Sequence, residues 1–307
     1  MKMIMNLING FCMALADSVP GVSGGTIAFL LGFYDKFIGA LDSLIAGKKE
    51  EKIKAIKYLF KLGIGWGIGL VLAVLALTSI FESHIYQVSS LFLGFILFAI
   101  PVIILEEKEV LKGKYWNIIF TLIGIGVVLL IGLLSPAGGE GFKVDIANLN
   151  FGLGIYIFLV AMVAISAMVL PGISGSTILL ICGIYVPIVS ALKEVLTLNL
   201  AYLPVVIIFG LGILTGIICV IRLIKKCLEK FRSQSIYCIL GLMIGSLYSI
   251  IQGPTTLDVA QPAMNFGSFH IVFFILGGVI ILGLQGLKKF FDNKQEIKEI
   301  EEKNGEN

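Results

Sequence analysis

Two stretches decide the fold: ADSVPGVSGGTIAFLLGFYDKFIGAL at 16–41 and AMVLPGISGSTILLICGIYVPIVSAL at 167–192. Aligned with an offset of 151, they are identical at eleven of 26 positions, including the string Pro-Gly-x-Ser-Gly-x-Thr at 20–26 and 171–177. Apolar segments alone would rarely reproduce such a string, so the chain contains an internal duplication. The sequence therefore predicts two related halves, at about 1–146 and 147–290.

The composition excludes a water-soluble globular enzyme. Of the 307 residues, 58% are hydrophobic and only 14% are charged, and the mean hydropathy is +1.01. Long apolar runs alternate with short polar stretches, which is typical of repeated bilayer crossings by helices. The net charge of +3 is small, and the basic residues lie at the ends of apolar runs, so no nucleic-acid partner is expected. The sequence predicts an all-α polytopic membrane protein.

Three apolar spans follow the motif in each half. They are predicted at about 62–81, 87–105 and 116–134, and at about 203–221, 235–252 and 268–287. Each is long enough to cross about 30 Å of hydrocarbon. Lysine and arginine are concentrated at 48–61, 108–114 and 222–232, whereas 82–86 and 253–267 contain neither. The positive-inside rule therefore places the basic connections, both termini and the charged tail at 291–307 in the cytoplasm.

The two halves are predicted to have opposite orientations in the membrane. Each half has three spans, which is an odd number. If successive spans cross in opposite directions, the first motif segment enters the membrane from the cytoplasm and the second enters from the exterior. The segments before the motifs, 3–17 and 153–169, would form only about 22 and 25 Å of helix. Both lengths are short of the hydrocarbon thickness. We therefore expect two inverted-topology repeats, each a re-entrant broken-helix hairpin plus three transmembrane helices, with pairs of full spans as the alternative.

Both motifs are predicted to break a helix inside the membrane. Pro20 and Pro171 each remove a backbone donor and the glycines allow positive φ, so a new helix begins near Ser23 or Ser174. The N terminus of a helix carries partial positive charge and free N–H groups, which suit an anion. Inversion would bring the two termini together near mid-depth. The hydroxyls predicted to line this anion site are those of Ser23, Thr26, Ser174, Ser176 and Thr177.

Two charged residues are candidates for function beside the motifs. Asp17, three residues before Pro20, is unusual because acids inside the membrane are costly and usually functional. It could carry a coupling proton or cap the broken helix. Arg222 could supply the further positive charge that a desolvated phosphate requires, or could be an interfacial anchor. Close packing by small residues is the alternative explanation of the motifs, but packing alone would accept alanine at Ser23 or Thr26.

Hydrolytic chemistry finds little support in the sequence. There is no H-E-x-x-H or P-loop motif, and the two histidines, His84 and His270, lie at span edges, outside the motifs. The string G-V-S-G-G at 21–25 superficially matches the G-x-S-x-G nucleophile turn. A serine without a nearby base is not activated as a nucleophile. The five cysteines form no C-x-x-C pair. We expect a transporter that is not an enzyme and uses no metal or cofactor. A carrier of a small soluble anion is the alternative, and a lipid phosphatase is the less favoured one.

The two motif segments resemble those of the PopT family, the polyprenyl-phosphate translocases of bacterial membranes. The likeness covers nearly the whole chain and includes the glycine-serine segment at 241–247. It implies a flippase that returns undecaprenyl phosphate, the lipid carrier of peptidoglycan precursors, from the outer to the cytoplasmic leaflet of the cell membrane. Transport could be coupled to a proton or a cation.

The resemblance also implies which positions matter for function, with Asp17 as the proton-coupling candidate, Pro20 and Pro171 as helix breakers and the others as substrate-binding positions. At Thr177 many members carry an aromatic residue, which weakens a role for that hydroxyl. The positions implied by the resemblance are Asp17, Ser18, Pro20, Gly21, Ser23, Gly24, Gly25, Thr26, Pro171, Gly172, Ser174, Gly175, Ser176, Thr177 and Arg222.

Overall fold

The protein is mainly helical in the residues that the structure describes. The computed structural model describes residues 2–17, 23–72, 78–134, 149–196, 198–256, 261–283 and 286, and these contain no strand. The prediction of an all-α fold is confirmed. The helices are α1 Lys2–Asp17, α2 Gly24–Leu30, α3 Tyr34–Ala46, α4 Lys49–Leu72, α5 Thr78–Glu106, α6 Lys108–Leu111, α7 Ile118–Leu134, α8 Phe151–Val169, α9 Gly175–Ile181, α10 Tyr185–Leu196, α11 Leu203–Lys230, α12 Arg232–Gln252 and α13 Ile271–Gly283.

Six helices within the described ranges are long and apolar enough to cross a membrane, namely α4, α5, α7, α8, α11 and α12. Two of them differ from the sequence prediction. α4 begins at Lys49 rather than near 62, because the lysines, glutamates and leucine of the basic connection are good helix formers. α8 has 19 residues, about 28 Å of helix, and is long enough to span although its segment was expected to be too short.

The same order of elements occurs in both halves. A helix, a break, a short helix, an amphipathic helix and a long span appear as α1 to α4 and again as α8 to α11. In the second half the chain reverses at the break. The Tyr156 hydroxyl near the start of α8 donates to the carbonyl oxygen of Cys182, just beyond α9, at 2.7 Å. α9 therefore runs back along α8, and the two form a hairpin.

Helices α7 and α12 come from different halves, pack side by side and run in the same direction. The side-chain amide of Asn117 donates to Ser233 Oγ at 2.9 Å. One turn further along both helices, Thr121 Oγ1 donates to the carbonyl oxygen of Tyr237 at 2.9 Å. Because the contacting residues follow the same order along both helices, the two helices are parallel.

Helices α5 and α13 form the corresponding pair. The backbone N–H of His270 donates to Ser90 Oγ at 3.0 Å, and one turn later a Cβ at Gly94 would collide with the carbonyl oxygen of Phe274. This pair is also parallel. In the order of elements, α13 is the counterpart of α7, and α12 is the counterpart of α5. The α5–α13 pair therefore repeats the packing of the α7–α12 pair.

The long span in each half, α4 or α11, packs on the first helix of that half, α1 or α8. In α4, a Cβ at Gly69 would lie 2.9 Å from Ala14 Cβ of α1. In α11, a Cβ at Gly212 would lie 2.8 Å from Ala161 Cβ of α8. The absence of side chains at these glycines lets the helix backbones approach closely, which stabilises helix pairs in membranes.

The α7–α12 contact predicts different effects of alanine at two glycines of the same helix. A Cβ at Gly124 would lie 2.5 Å from the carbonyl oxygen of Cys238, whereas nothing lies within 4 Å of one at Gly126. Gly124→Ala should lower the free energy of unfolding by about 1–3 kcal/mol, because a backbone atom cannot easily move away. Gly126→Ala should be neutral or slightly stabilising. Thermal unfolding in detergent measures both, and equal effects would contradict the described contact.

Candidate functional site

The two motifs contact each other directly. The backbone N–H of Gly172 donates to Thr26 Oγ1 at 2.8 Å, across 146 positions of sequence. Ser23 Oγ donates to the carbonyl oxygen of Leu170 at 3.4 Å. A Cβ at Gly25 would lie 2.6 Å from the carbonyl oxygen of Val169, so glycine permits the approach of α2 to the end of α8. The structure thus joins the motifs that the sequence predicts to meet.

In the first motif the serine and threonine hydroxyls form hydrogen bonds with the protein's own backbone. Ser23 is the N-cap of α2 and accepts from the backbone N–H of Thr26 at 3.2 Å, as the sequence predicts. The two hydroxyls lie 3.0 Å apart, and each residue is only 1% exposed. The expectation that Ser23 and Thr26 offer hydroxyls to an anion must therefore be corrected, since both are enclosed at the contact between motifs.

Asp17 occupies the N terminus of α2. Its Oδ1 accepts from the backbone N–H of Gly24 at 2.6 Å, and its Oδ2 accepts from Trp66 Nε1 at 3.0 Å. A carboxylate at this position is stabilised by the partial positive charge of the helix end. A Cβ at Gly24 would lie 2.8 Å from Oδ2, so the carboxylate requires glycine there. The capping role considered for Asp17 is observed, and the expectation of free amides at α2 is wrong for Gly24.

The second motif has no carboxylate at the equivalent position. Met168 replaces Asp17 in the alignment of the two motifs. Gly172 has a φ of +88°, which favours glycine, and the turn leads into α9 at Gly175. Ser174 Oγ and Ser176 Oγ lie 2.8 Å apart. The hydroxyls of the second motif therefore interact with each other, whereas those of the first hold the two motifs together.

Two cavities meet at Asp17. The α9-side cavity, of about 200 Å³, is lined by Ser174 and Ser176 together with apolar residues of α8 and α11. The α4-side cavity, of about 250 Å³, is lined by residues of α1, α3, α4, α8 and α11. Asp17, Ile165 and Met168 line both. Each volume could hold several water molecules, at about 30 Å³ per molecule.

The cavities contain no basic side chain among the residues that the structure describes. Arg222, the predicted cation, is exposed on α11 and lines neither cavity. It follows Ile217, which lines the α4-side cavity, by five residues or about 7.5 Å along the helix. The structure does not bring Arg222 to the motifs, and its position fits the alternative of an interfacial anchor.

The remaining predicted positions divide into three groups. Gly24 and Gly25 line the α4-side cavity, and Gly175 lines the α9-side cavity. Pro171, Gly172 and Thr177 lie in or after the second turn and line neither. Three positions lie outside the described residues, namely Ser18, Pro20 and Gly21.

An ion-pair cluster that the sequence analysis missed joins the two halves at one end. Lys225 Nζ of α11 lies 2.7 Å from Asp42 Oδ2 of α3. Arg232, at the start of α12, lies 2.9 Å from Asp35 Oδ2 and also pairs with Glu107 through two donors. These partners lie more than 100 positions apart. The available signal was weak: Asp35 and Asp42 are seven residues apart and so share a face of α3.

Comparison with known proteins assigns the chain to a family. The profile of a family described as undecaprenyl phosphate translocase-like matches residues 13–267, which include both motifs. The chain belongs to this family. The resemblance seen in the sequence is thereby confirmed, and the matched region includes Asp17, both serines of the α9-side cavity and the whole ion-pair cluster.

Two curated members of the family are similar over most of their length. A polyprenyl-phosphate transporter of Staphylococcus aureus is 33% identical over 287 residues, covering 91% of this chain and 95% of that protein. A polyprenyl-phosphate transporter of Vibrio cholerae is 30% identical over 270 residues, covering 84% of this chain and 80% of that protein. No solved structure gives a significant match.

Proposed function

We propose that this protein is a flippase that moves undecaprenyl phosphate from the outer to the cytoplasmic leaflet, for recycling of the cell-envelope lipid carrier. Membership of the family, the names of both relatives and the six apolar helices support transport of a polyprenyl phosphate. The observation that carries the mechanism is the pair of cavities that meet at Asp17, beside the contact between the two motifs.

The proposed topology has two oppositely oriented halves, 1–146 and 147–290, with both termini and the tail at 291–307 in the cytoplasm. Only Phe231 separates α11 from α12, and if both cross the membrane in succession they run in opposite directions. Because α7 is parallel to α12, α7 is antiparallel to α11. If α4, α5 and α7 cross the membrane in alternating directions, α4 runs in the same direction as α7. α4 is then also antiparallel to its counterpart α11. The parallel α5–α13 pair supports the same inverted arrangement.

In this topology the cavities open towards opposite sides. Leu59 and Leu62 belong to the cytoplasmic half of α4 and line the α4-side cavity. Phe209 belongs to the outer half of α11 and lines the α9-side cavity. Asp42 directly follows Leu41, another lining residue of the α4-side cavity. The ion-pair cluster therefore lies at the cytoplasmic edge of that cavity, and we infer that it closes the cytoplasmic side in an alternating-access cycle.

The phosphate head group is proposed to bind in the α9-side cavity through Ser174 and Ser176. This replaces the expected site at two free helix ends, because Asp17 already occupies the end of α2. A charged phosphate beside a charged carboxylate would be repelled, and no basic side chain of the described cavity lining compensates. We therefore propose that Asp17 is protonated when the head group passes, which would couple lipid transport to a proton.

A liposome assay with labelled polyprenyl phosphate tests the function. The protein should move the lipid between leaflets without releasing phosphate. Replacing both hydroxyls, in Ser174→Ala with Ser176→Ala, should slow movement about tenfold or more, because hydrogen bonds to a charged group contribute about 1.5–3 kcal/mol each. Ser43→Ala is the control, since the Ser43 hydroxyl donates within its own helix, to the carbonyl oxygen of Gly39.

The other outcomes of this assay identify the alternatives. Release of phosphate would indicate a lipid phosphatase. Uptake of inorganic phosphate without lipid movement would indicate a carrier of a small soluble anion. If the double serine variant instead loses abundance, close packing rather than head-group binding explains the second motif.

A further inference from the structure

We propose that Trp66 is a positioning residue for transport, whose indole N–H holds the carboxyl group of Asp17 at the junction of the two cavities. The inference rests on the proposed function, since it concerns how the same site handles the lipid phosphate. No motif in the sequence includes Trp66. It lies 49 positions from Asp17 and in the middle of an apolar span.

Two donors from different helices hold the two carboxyl oxygens. Trp66 Nε1 of α4 donates to Oδ2 at 3.0 Å, and the Gly24 backbone N–H of α2 donates to Oδ1 at 2.6 Å. With both oxygens engaged, the plane of the carboxyl group is set by the relative positions of α2 and α4. Trp66 itself lines the α4-side cavity. Movement of α4 relative to α2 would therefore change the hydrogen bonding of Asp17.

Close helix packing keeps the indole within reach of Asp17. A Cβ at Gly10 of α1 would lie 2.8 Å from the backbone nitrogen of Trp66. One residue before Trp66, a Cβ at Gly65 would collide with the carbonyl oxygen of Leu7. The two helix backbones thus touch at the level of Trp66. Because the indole ring is large and rigid, a fixed backbone also limits the position of its N–H.

Asp17 is the one titratable group among the described residues that line the two cavities. The other elements around it contribute no charge there: α2, α8 and α9 contain no charged residue. The nearest charges along the other helices are Lys61 on α4, Arg222 on α11, and Lys36 and Asp42 on α3, and none of them lines a cavity. A proton-dependent signal from the indole would therefore report on Asp17.

The first test is the fluorescence of Trp66. The chain has two tryptophans, and Trp116 is 93% exposed and distant in sequence from both motifs. Trp116→Phe leaves Trp66 as the single tryptophan of an otherwise intact protein. Its emission should change with pH in detergent micelles, and Asp17→Asn in the same background should abolish that change. A pH response that persists in the Asp17→Asn protein would overturn the inference.

The second test is a double-mutant cycle on transport. Trp66→Phe keeps an aromatic ring but removes the N–H donor, and should slow lipid movement about tenfold. In an Asp17→Asn background the same substitution should cause no further slowing, because residues that act as a unit are not additive. Trp116→Phe is the control and should transport at the parent rate. Additive slowing would assign Trp66 a packing role instead and overturn the inference.

The two tests separate this inference from the proposed function. If neither the parent nor the Trp116→Phe protein moves polyprenyl phosphate, the proposed function fails, while the fluorescence titration still decides whether Trp66 and Asp17 are coupled. If both proteins move the lipid and Trp66→Phe is as fast as they are, only the role of Trp66 fails. If Trp66→Phe does not fold, the fluorescence test remains decisive because it leaves Trp66 in place.

Discussion

Transport should stop when α3 and α11 are covalently joined through Asp42→Cys and Lys225→Cys, and should resume when the link is reduced. Asp42 and Lys225 pair at 2.7 Å across the two halves, at the edge of the α4-side cavity. If this edge opens towards the cytoplasm during each cycle, a fixed link prevents release of the head group. The rate of lipid movement in liposomes should fall to the protein-free background.

A reducible bifunctional thiosulfonate reagent is the suitable link, because a long lysine side chain separates the two backbones and direct disulfides need Cα atoms within about 7 Å. The background must first have its five native cysteines replaced. Lys226→Cys with Lys230→Cys is the matched control, since both residues are exposed on α11, lie one turn apart and are outside the ion-pair cluster. The same reagent should link that pair without affecting the rate. Undiminished transport by the fully linked Asp42→Cys, Lys225→Cys protein would exclude a cytoplasmic gate at this cluster.

Asp17→Asn should lower the transport rate at least tenfold and remove the dependence of the rate on pH. Asparagine has nearly the shape of aspartate and can still accept the Gly24 hydrogen bond, but it cannot exchange a proton. The expected loss corresponds to about 1.4 kcal/mol or more in activation free energy. Liposome assays across a range of pH, with and without an imposed pH gradient, provide the measurement.

Glu109→Gln is the control for Asp17→Asn. Glu109 is an exposed acid on the short helix α6 and lines neither cavity. It should transport at the parent rate with the parent pH profile. If Asp17→Asn keeps the parent profile, Asp17 serves only as the cap of α2 and the coupled group lies elsewhere. A large loss of abundance would show that the carboxyl group of Asp17 is needed for folding.

Features of the chain that depend on local chemistry were predictable from the sequence. The start of α2 at Gly24 follows from the capping preference of serine, and Ser23 is the N-cap that the sequence predicts. The extended start of α4 was missed because lysine-rich segments were assigned to connections by charge alone, although lysine is a good helix former. The inverted topology stays a prediction that the parallel helix pairs support.

The candidate site was only partly predictable. The meeting of the two motifs was expected from their duplication and from the predicted inversion of the repeats. The use of Ser23 and Thr26 as internal contacts, and the position of Arg222 away from the cavities, could not be derived in this way. Each depends on which neighbour a side chain finds after packing. The ion-pair cluster was hidden for the same reason, since each of its residues alone resembles an ordinary interfacial charge.

The sequence by itself determined the membrane class, the duplication and the places where helices break, because hydropathy, proline, glycine and capping serine act within a few residues of backbone. Only the tertiary structure decided that Asp17 closes the end of α2, that Trp66 holds its carboxyl group and that two cavities meet there. Those contacts join residues from 7 to 49 positions apart on separate helices. Their formation depends on how closely glycine lets helix backbones approach, which is a property of the packed molecule.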